Sequence, residues 1–309
     1  MRALITGITG FVGKHLEKQL IAEGAEVFGT SRNSFIQNRY YQIDLLNKEN
    51  IIKLINEVKP THIFHLAGMS NVKNSWIDIS KIIEVNTIGT VNLLEAIYKV
   101  DNGIRILTIG SSEEYGKVTN IDKKITEETS IRPVTPYGIS KAAVSMLIKQ
   151  FQQGYGMDII HLRPFNHIGP GQKLGFVTTD FAYQIALINK GVINTNKIVV
   201  GNLEAVRDFT DVRDIVKAYY LIALHGKAGE IYNVCSGNGI KVQKILEMLL
   251  SFSKNKEIKI EIDPEKNRPS DLPYYVGDYK KLNHITNWEP IISLKKSLND
   301  IYNYWNLLQ

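Results

Sequence analysis

Two residues on one predicted helix have the types and spacing needed to move a proton. Tyr137 and Lys141 are four positions apart, so their side chains share one helical face, and Pro136 suits the first turn because it needs no N–H there. An ammonium group near a phenol favours the phenolate and so lowers the pKa of the tyrosine toward neutral pH. The pair predicts proton exchange with a hydroxyl or carbonyl group.

Further polar groups follow the end of a predicted strand upstream of this helix. The stretch 110–116 presents the hydroxyl of Ser111 and the carboxyl group of Glu113. A Tyr-x-x-x-Lys spacing occurs often by chance, but the polar strand end upstream supports a catalytic interpretation of it. The two segments together indicate an acid–base centre.

Three glycines near the amino terminus predict a dinucleotide site. Gly7, Gly10 and Gly13 follow the first predicted strand and open the first helix, spaced G-x-x-G-x-x-G rather than G-x-G-x-x-G. Glycine permits the tight turn and lets a pyrophosphate approach the backbone N–H groups of the helix N-terminus. The alternative is a glycine-rich turn that binds nothing.

The end of the second predicted strand bears on which dinucleotide is bound. NAD-selective sites place a carboxylate there to accept from the ribose 2′-hydroxyl, but residues 28–33 contain none. Ser31 and Arg32 instead offer a hydroxyl and a guanidinium that suit a 2′-phosphate. We expect NADP(H) to be favoured over NAD(H), unless Arg32 is merely a solvated loop residue. Asp44 and Leu45 are expected beside the adenine.

Short apolar runs alternate with helical periodicity in the first half of the chain. Runs at 3–6, 26–30, 62–66, 105–109 and 158–162 alternate with helical segments at 12–22, 51–58, 82–98 and 137–153. This alternation predicts an α/β fold with a doubly wound parallel sheet of the Rossmann type. We expect a dinucleotide-binding domain at 1–162 and a smaller substrate-binding lobe at 163–309, with segments near 207–234 returning to the first domain.

Composition and charge disfavour several functional classes. The net charge of +6 comes from basic residues scattered among acidic ones, which does not favour nucleic-acid binding. The single cysteine, Cys235, rules out an internal disulfide, and no Cys/His cluster has metal-site spacing. No stretch approaches the roughly 20 apolar residues of a membrane span. We expect a cytoplasmic protein without a secretory signal, membrane segment or metal.

The sequence resembles the extended short-chain dehydrogenase/reductase family over essentially its whole length. The matching motifs are the glycine fingerprint at 7–13 and the segments 65–68, 85–90, 111–113, 137–141 and 207–214, in that order. The stretches 163–171 and 175–178 are similar to the GDP-mannose branch. The resemblance implies NAD(P)H-dependent reduction of the 4-keto group of a GDP-linked 6-deoxy sugar for bacterial surface glycans. A GDP-mannose 4,6-dehydratase, a nucleotide-sugar epimerase and a non-catalytic dinucleotide sensor are the alternatives.

The resemblance also implies a role for individual residues. Ser111 would hydrogen-bond the reacting C4 oxygen, Tyr137 would donate the proton, and Lys141 would lower the tyrosine pKa and hold the nicotinamide ribose. Glu113 matches a glutamate that abstracts the C5 proton in the dehydratases, which keeps that alternative open. The cofactor is expected at Gly7, Gly10, Phe11, Val12, Gly13, Ser31, Arg32, Asp44, Leu45, Leu66, Ala67, Gly68, Tyr137 and Lys141.

Fixed guanidiniums suit the diphosphate of a nucleotide-sugar. For Arg207 the alternative is an ion pair with Asp208 or Asp211. The resemblance implies that the substrate binds at Ser111, Asn166, Val177, Arg207 and Arg268, with the two arginines at the nucleotide diphosphate.

Two predicted helices, 82–98 and 137–153, carry more apolar positions than packing against one sheet requires. A helix that is apolar around more than half its girth needs a second buried face. We expect a homodimer in which both helices pair with their symmetry mates in a four-helix bundle, and the resemblance implies the same dimer. The alternative is that later segments of the same chain cover these faces.

Overall fold

The computed structural model of the chain describes residues 1–33, 38–70, 72, 74–118, 123–266 and 273–307. Its strands are β1 (Arg2–Thr6), β2 (Glu26–Ser31), β3 (Tyr40–Gln42), β4 (His62–His65), β5 (Arg105–Ile109), β6 (Ile159–Pro164), β7 (Asn166–Ile168), β8 (Lys197–Val200), β9 (Val206–Asp211), β10 (Ile231–Val234), β11 (Gly239–Lys241), β12 (Lys259–Ile262) and β13 (Tyr274–Tyr275). Its α-helices are α1 (Phe11–Ala22), α2 (Lys48–Val58), α3 (Ile79–Ile83), α4 (Gly89–Val100), α5 (Pro136–Tyr155), α6 (Val177–Asn189), α7 (Val212–His225), α8 (Val242–Phe252), α9 (Lys280–Thr286) and α10 (Leu294–Leu307).

A seven-stranded parallel sheet, ordered β10-β6-β5-β4-β1-β2-β3, forms the centre of the molecule. Its strands are short apolar runs because helices cover both faces, as Ala3, Leu4 and Ile5 of β1 illustrate by being buried. Helices α1 and α7 pack on one face, and α2, α4 and α5 pack on the other. The predicted Rossmann-type α/β fold is confirmed.

Elements of the second half of the chain form a separate group with its own apolar core and also join the large sheet. β7, β9, β11 and β13 form a small mixed sheet, β8 pairs with β12, and helices α6, α8 and α10 pack around a separate apolar core. By contrast, α7 and β10 join the layers of the large sheet. Strand β6 ends at Pro164, beyond the expected boundary at residue 162. The division into two domains stays a prediction.

The predicted helix 82–98 is interrupted in the structure. A π-helical turn, Glu84–Ile88, separates α3 from α4. Within it the Asn86 side chain accepts a hydrogen bond from the Met69 amide at 2.8 Å and donates to the Ser140 hydroxyl at 3.0 Å. π-turns often occur at functional sites, and this one ties the helix to the loop after β4 and to α5.

No helix in the described part of the chain is long and apolar enough to cross a membrane.

Candidate active site

A cavity of about 1240 Å³ opens at the carboxyl ends of the central strands, between the large sheet and the second-half elements. Open α/β sheets bind ligands at this edge because their loops and helix N-termini converge there. Arg268 lies outside the described residues. Every other predicted site residue lines the cavity: Gly7, Gly10, Phe11, Val12, Gly13, Ser31, Arg32, Asp44, Leu45, Leu66, Ala67, Gly68, Ser111, Glu113, Tyr137, Lys141, Asn166, Val177 and Arg207.

The glycine turn after β1 is closely packed. Gly7 has φ +72°, and a Cβ there would lie 2.9 Å from the Ala67 Cα. A Cβ on Gly13 would lie 2.5 Å from the Ile8 carbonyl oxygen, so glycine is required where α1 meets the turn. Gly10 caps α1 without a side-chain hydrogen bond, and the first turn contains no acidic residue. This helix N-terminus therefore suits a pyrophosphate.

The far end of the cavity is formed where β2 ends. The Ser31 hydroxyl accepts hydrogen bonds from the Asn33 amide at 3.2 Å and from the Thr9 hydroxyl at 3.3 Å. Arg32 is exposed, and its carbonyl oxygen accepts from the Gln42 side chain at 3.0 Å. The strand end therefore presents hydroxyls and a guanidinium to the cavity, which suits a phosphate better than a bare ribose.

Tyr137 and Ser111 meet at the centre of the cavity. Tyr137 is buried in the first turn of α5, where Thr135 caps the helix by accepting from the Gly138 amide at 2.9 Å. Ser111 follows β5, and its hydroxyl lies near enough to the phenol of Tyr137 to lower the pKa of that phenol. The end of β5 and the start of α5 thus bring the two hydroxyls together at one point.

The ionisation of Tyr137 depends on its burial. Burial raises its pKa above 10, the carboxylates of Glu113 and Glu114 raise it further, and the nearby Ser111 hydroxyl only partly opposes them. Lys141 lies 6.0 Å from the ring centroid and donates to the Ile109 carbonyl oxygen instead, at 2.7 Å. Burial therefore dominates the pKa of Tyr137 in this structure, and the expected lowering of that pKa by Lys141 stays a prediction. Tyr137 is a protonated acid.

Glu113 is half-buried beside these groups. One of its carboxylate oxygens accepts a weak hydrogen bond from the Thr135 hydroxyl at 3.4 Å. Its backbone carbonyl lies against α5, since a Cβ on Gly138 would come within 2.6 Å of that oxygen. The structure therefore holds a carboxylate beside the acid–base centre.

The predicted substrate residues lie on the second-half elements. The Asn166 side chain donates to the Asp208 carbonyl oxygen at 3.0 Å, which joins β7 to β9, and the Arg207 guanidinium donates to the Val206 carbonyl oxygen at 2.9 Å. The Asp208 carboxylate accepts from the Ser236 and Gly237 amides. Asp211 was the other residue considered as an ion-pair partner of Arg207, and its carboxylate pairs with Arg213.

A buried ionic cluster behind Ser111 was missed from the sequence. It joins Glu114 to His161 and Arg163. The available signal was two polar residues at alternate positions, because His161 and Arg163 share one face of β6, although the strand predicted from the sequence ends at residue 162. Charged residues are rarely buried in such a strand unless they are paired.

Comparison with known proteins gives matches along the whole chain. Residues 4–301 match the family described as GDP-mannose 4,6 dehydratase. GDP-6-deoxy-D-mannose reductase of Pseudomonas aeruginosa is 36% identical, covering 98% of this chain and 97% of the relative. GDP-mannose 4,6 dehydratase of Cricetulus griseus is 28% identical, covering 97% and 90%. The solved structure of RMD from Pseudomonas aeruginosa in complex with NADPH superposes with a TM-score of 0.88 at 34% identity, covering 99% of both chains.

Proposed function

Since this chain belongs to the GDP-mannose 4,6 dehydratase family, we propose that it reduces the 4-keto group of GDP-4-keto-6-deoxy-D-mannose with NADPH, giving GDP-D-rhamnose. The observation that carries the proposal is the 36% identity, over 98% of the chain, to a GDP-6-deoxy-D-mannose reductase. Identity to a dehydratase of the same family is 28%. The predicted family and the predicted NAD(P)-dependent oxidoreductase class are confirmed by these relatives.

NADP(H) is the proposed cofactor, with NAD(H) as the weaker alternative. The glycine turn and the uncapped N-terminus of α1 fit a pyrophosphate, and Ser31 and Arg32 fit a 2′-phosphate. The RMD structure holds NADPH, which supports the same choice here. When bound, the nicotinamide supplies a hydride to C4 of the sugar.

The protein's own residues supply the proton and hold the reacting oxygen. The Ser111 hydroxyl donates a hydrogen bond to the 4-keto oxygen, and Tyr137 delivers its phenolic proton to that oxygen as negative charge develops there. Hydride and proton together convert the carbonyl to a secondary alcohol. The high pKa of Tyr137 keeps the proton in place until the oxygen becomes strongly basic. Asn166, Val177 and Arg207 line the part of the cavity proposed for the GDP-sugar.

Glu113 supports one competing reaction. Its carboxylate beside the acid–base centre could accept the C5 proton of a 4-keto sugar, as the resemblance to the dehydratases implies. A dehydratase would return the hydride to the same substrate molecule and consume no net cofactor. The two reactions therefore differ in their demand for NADPH.

Turnover with two substrates separates these functions. The purified protein is mixed with GDP-4-keto-6-deoxy-D-mannose and NADPH, or with GDP-mannose and NADP⁺, because a dehydratase needs the oxidised cofactor to accept the first hydride. Absorbance of NADPH is recorded while chromatography follows the sugars. The proposal predicts NADPH oxidation equal to the loss of keto sugar, with GDP-mannose unchanged. Consumption of GDP-mannose without NADPH oxidation would establish the dehydratase instead.

A further inference from the structure

The ionic cluster behind Ser111 is fully enclosed. Glu114 is buried, and its carboxylate accepts from the Arg163 Nε at 2.7 Å and contacts the His161 Nε2 at 3.0 Å. The oxygen that faces His161 also accepts from the backbone N–H of Ser111 at 2.9 Å. Burial alone would raise the pKa of Glu114, but His161, Arg163 and the Ser111 N–H together lower it, so the carboxylate is ionised.

The cluster is anchored on three sides. Arg163 Nη2 donates to the Ser145 hydroxyl of α5 at 3.0 Å, and the guanidinium lies 4.7 Å from the ring centroid of Tyr115. His161 is hydrogen-bonded to Thr108 of β5 at 2.9 Å. Helix α5 and strands β5 and β6 therefore fix the Glu114 carboxylate from different directions.

Gly110 shows how closely the carboxylate fits. A Cβ at this position would lie 2.0 Å from the Glu114 Oε1 and 2.3 Å from the His161 Nε2. Only glycine lets the strand end pass this close to the cluster. The backbone at Gly110 and Ser111 therefore packs directly against the Glu114 carboxylate.

The Ser111 hydroxyl is oriented through the same turn. Ser111 and Glu114 form a reciprocal capping box in which the Glu114 carboxylate accepts from the Ser111 N–H and the Ser111 hydroxyl accepts from the Glu113 N–H at 3.1 Å. The Glu113 N–H occupies one lone pair of the Ser111 hydroxyl oxygen, and this hydroxyl lines the cavity together with the Tyr137 phenol, whose pKa it lowers. The orientation of Ser111 therefore depends on where Glu114 is held.

We propose that Glu114 and Arg163 are positioning residues that hold the turn at 111–114 so that the Ser111 hydroxyl meets the substrate oxygen beside Tyr137. This inference rests on the proposed reduction at C4. Stability alone does not explain the pair, because replacing a buried ion pair by well-packed apolar residues is often neutral or stabilising. A role in catalysis explains the pair, since displacing a catalytic group by about 1 Å can lower the rate about 100-fold.

Two double variants isolate the hydrogen bond to Ser111. Glu114→Leu/Arg163→Met removes both charges and the acceptor, whereas Glu114→Gln/Arg163→Met keeps an acceptor for the Ser111 N–H. We expect the Leu variant to lose about 10- to 100-fold in kcat, with the KM for the keto sugar and the Kd for NADPH changing less than about threefold. The Gln variant should stay within about threefold of wild type.

The matched control is the ion pair at the opposite end of the same two strands. Arg105 begins β5 and donates to Asp158, just before β6, at 2.8 Å. Arg105→Met/Asp158→Leu removes an Arg–carboxylate pair from the same strand neighbourhood and should leave kcat unchanged. The proposal is overturned if the folded Leu variant keeps the kcat of this control, or if the Gln variant loses as much as the Leu variant.

Two further measurements keep the proposal testable. If the Leu variant does not fold, Arg163→Lys replaces it. In this variant Glu114 keeps its charge, and lysine, which lacks the planar fork that reaches both Glu114 and Ser145, shifts the carboxylate away from the Ser111 N–H, whereas the neutral amide of the Gln variant needs no cation. We expect the kcat of Arg163→Lys to fall about tenfold, and an unchanged kcat contradicts the proposal. Hydrogen exchange needs no activity: the Ser111 and Glu113 amides should exchange about 10-fold faster in the Leu variant, or in Arg163→Lys, than in the control pair. Unchanged exchange refutes the positioning role, whereas failure of wild-type protein to reduce the keto sugar refutes the proposed function alone.

Discussion

Lys141 donates a hydrogen bond to the carbonyl oxygen of Ile109 at 2.7 Å, which places its ammonium group at the end of the strand that leads to Ser111. Burial lowers the pKa of this lysine to about 8, with Glu114 partly opposing the shift. Its positive charge is thus present below that pH and lost as the pH rises through about 8.

The pH dependence of the enzyme should reflect this titration. We expect kcat/KM to fall above about pH 8 in the free enzyme, because neutral Lys141 no longer attracts the cofactor or the developing charge. Lys141→Met should remove this descending limb along with most of the activity, and initial rates over a pH series measure both effects. A wild-type profile flat to pH 10 would contradict the assigned role.

Tyr137→Phe removes the proposed acid and leaves the ring in place. General acid catalysis is worth about 10²- to 10⁴-fold, so kcat should fall by that factor while NADPH binding, followed by fluorescence, is largely kept. Tyr232→Phe is the matched control, since this buried tyrosine lies in the core on one face of the large sheet and does not line the cavity. Nearly full turnover by Tyr137→Phe would reject the assignment.

Arg32→Ala tests the choice of cofactor. Only NADPH carries the 2′-phosphate, so we expect its Kd to rise by more than about 10-fold while the Kd for NADH changes little. Arg39→Ala, a nearby arginine that pairs with Glu26 and does not line the cavity, should affect neither cofactor. Equal losses for both cofactors would show that Arg32 does not bind the 2′-phosphate.

We propose that the chain is a homodimer formed through α4, α5 and the turn before α4. Most apolar side chains of these helices are buried within the chain, but Ile88, Tyr98, Ile139, Met146 and Tyr155 are exposed. Light scattering at micromolar concentration should give twice the 35.0 kDa chain mass.

Two charge substitutions locate that interface. Met146→Glu should give a monomer because it places a carboxylate on the proposed contact face. Ile21→Glu, on the similarly exposed surface of α1, should leave the dimer intact. A wild-type monomer, or a dimer that persists in Met146→Glu, would reject the bundle.

The large sheet could be predicted because its information is local. Runs such as Ala3–Ile5 are apolar on both faces of a strand, and the glycines after β1 need no distant partner to indicate a turn. The π-turn could not be predicted in this way. It depends on two hydrogen bonds of the Asn86 side chain, one accepted from the Met69 N–H and one donated to the Ser140 hydroxyl, which only the folded chain brings together.

In the site, too, residue spacing is readable from the sequence, whereas the surroundings of each side chain are not. Spacing was enough to pair Tyr137 with Lys141, but the tyrosine pKa depends on burial that sequence does not measure. Glu114 carries no distinct sequence signal beside Glu113, because its partners His161 and Arg163 lie on β6, far from it in the sequence. The helical and strand periodicities give no reason for these charged residues, because their partners come together only in the folded chain.

Transfer of deuterium tests the proposed reaction most directly. The protein is incubated with GDP-4-keto-6-deoxy-D-mannose and NADPH deuterated at the transferring position of nicotinamide C4, and the purified product is studied by NMR. We expect GDP-D-rhamnose with deuterium at C4 of the sugar, one label for each NADPH oxidised, and a strong loss of labelling rate in Tyr137→Phe. Product without deuterium at C4, or consumption of the keto sugar without oxidation of NADPH, would contradict it.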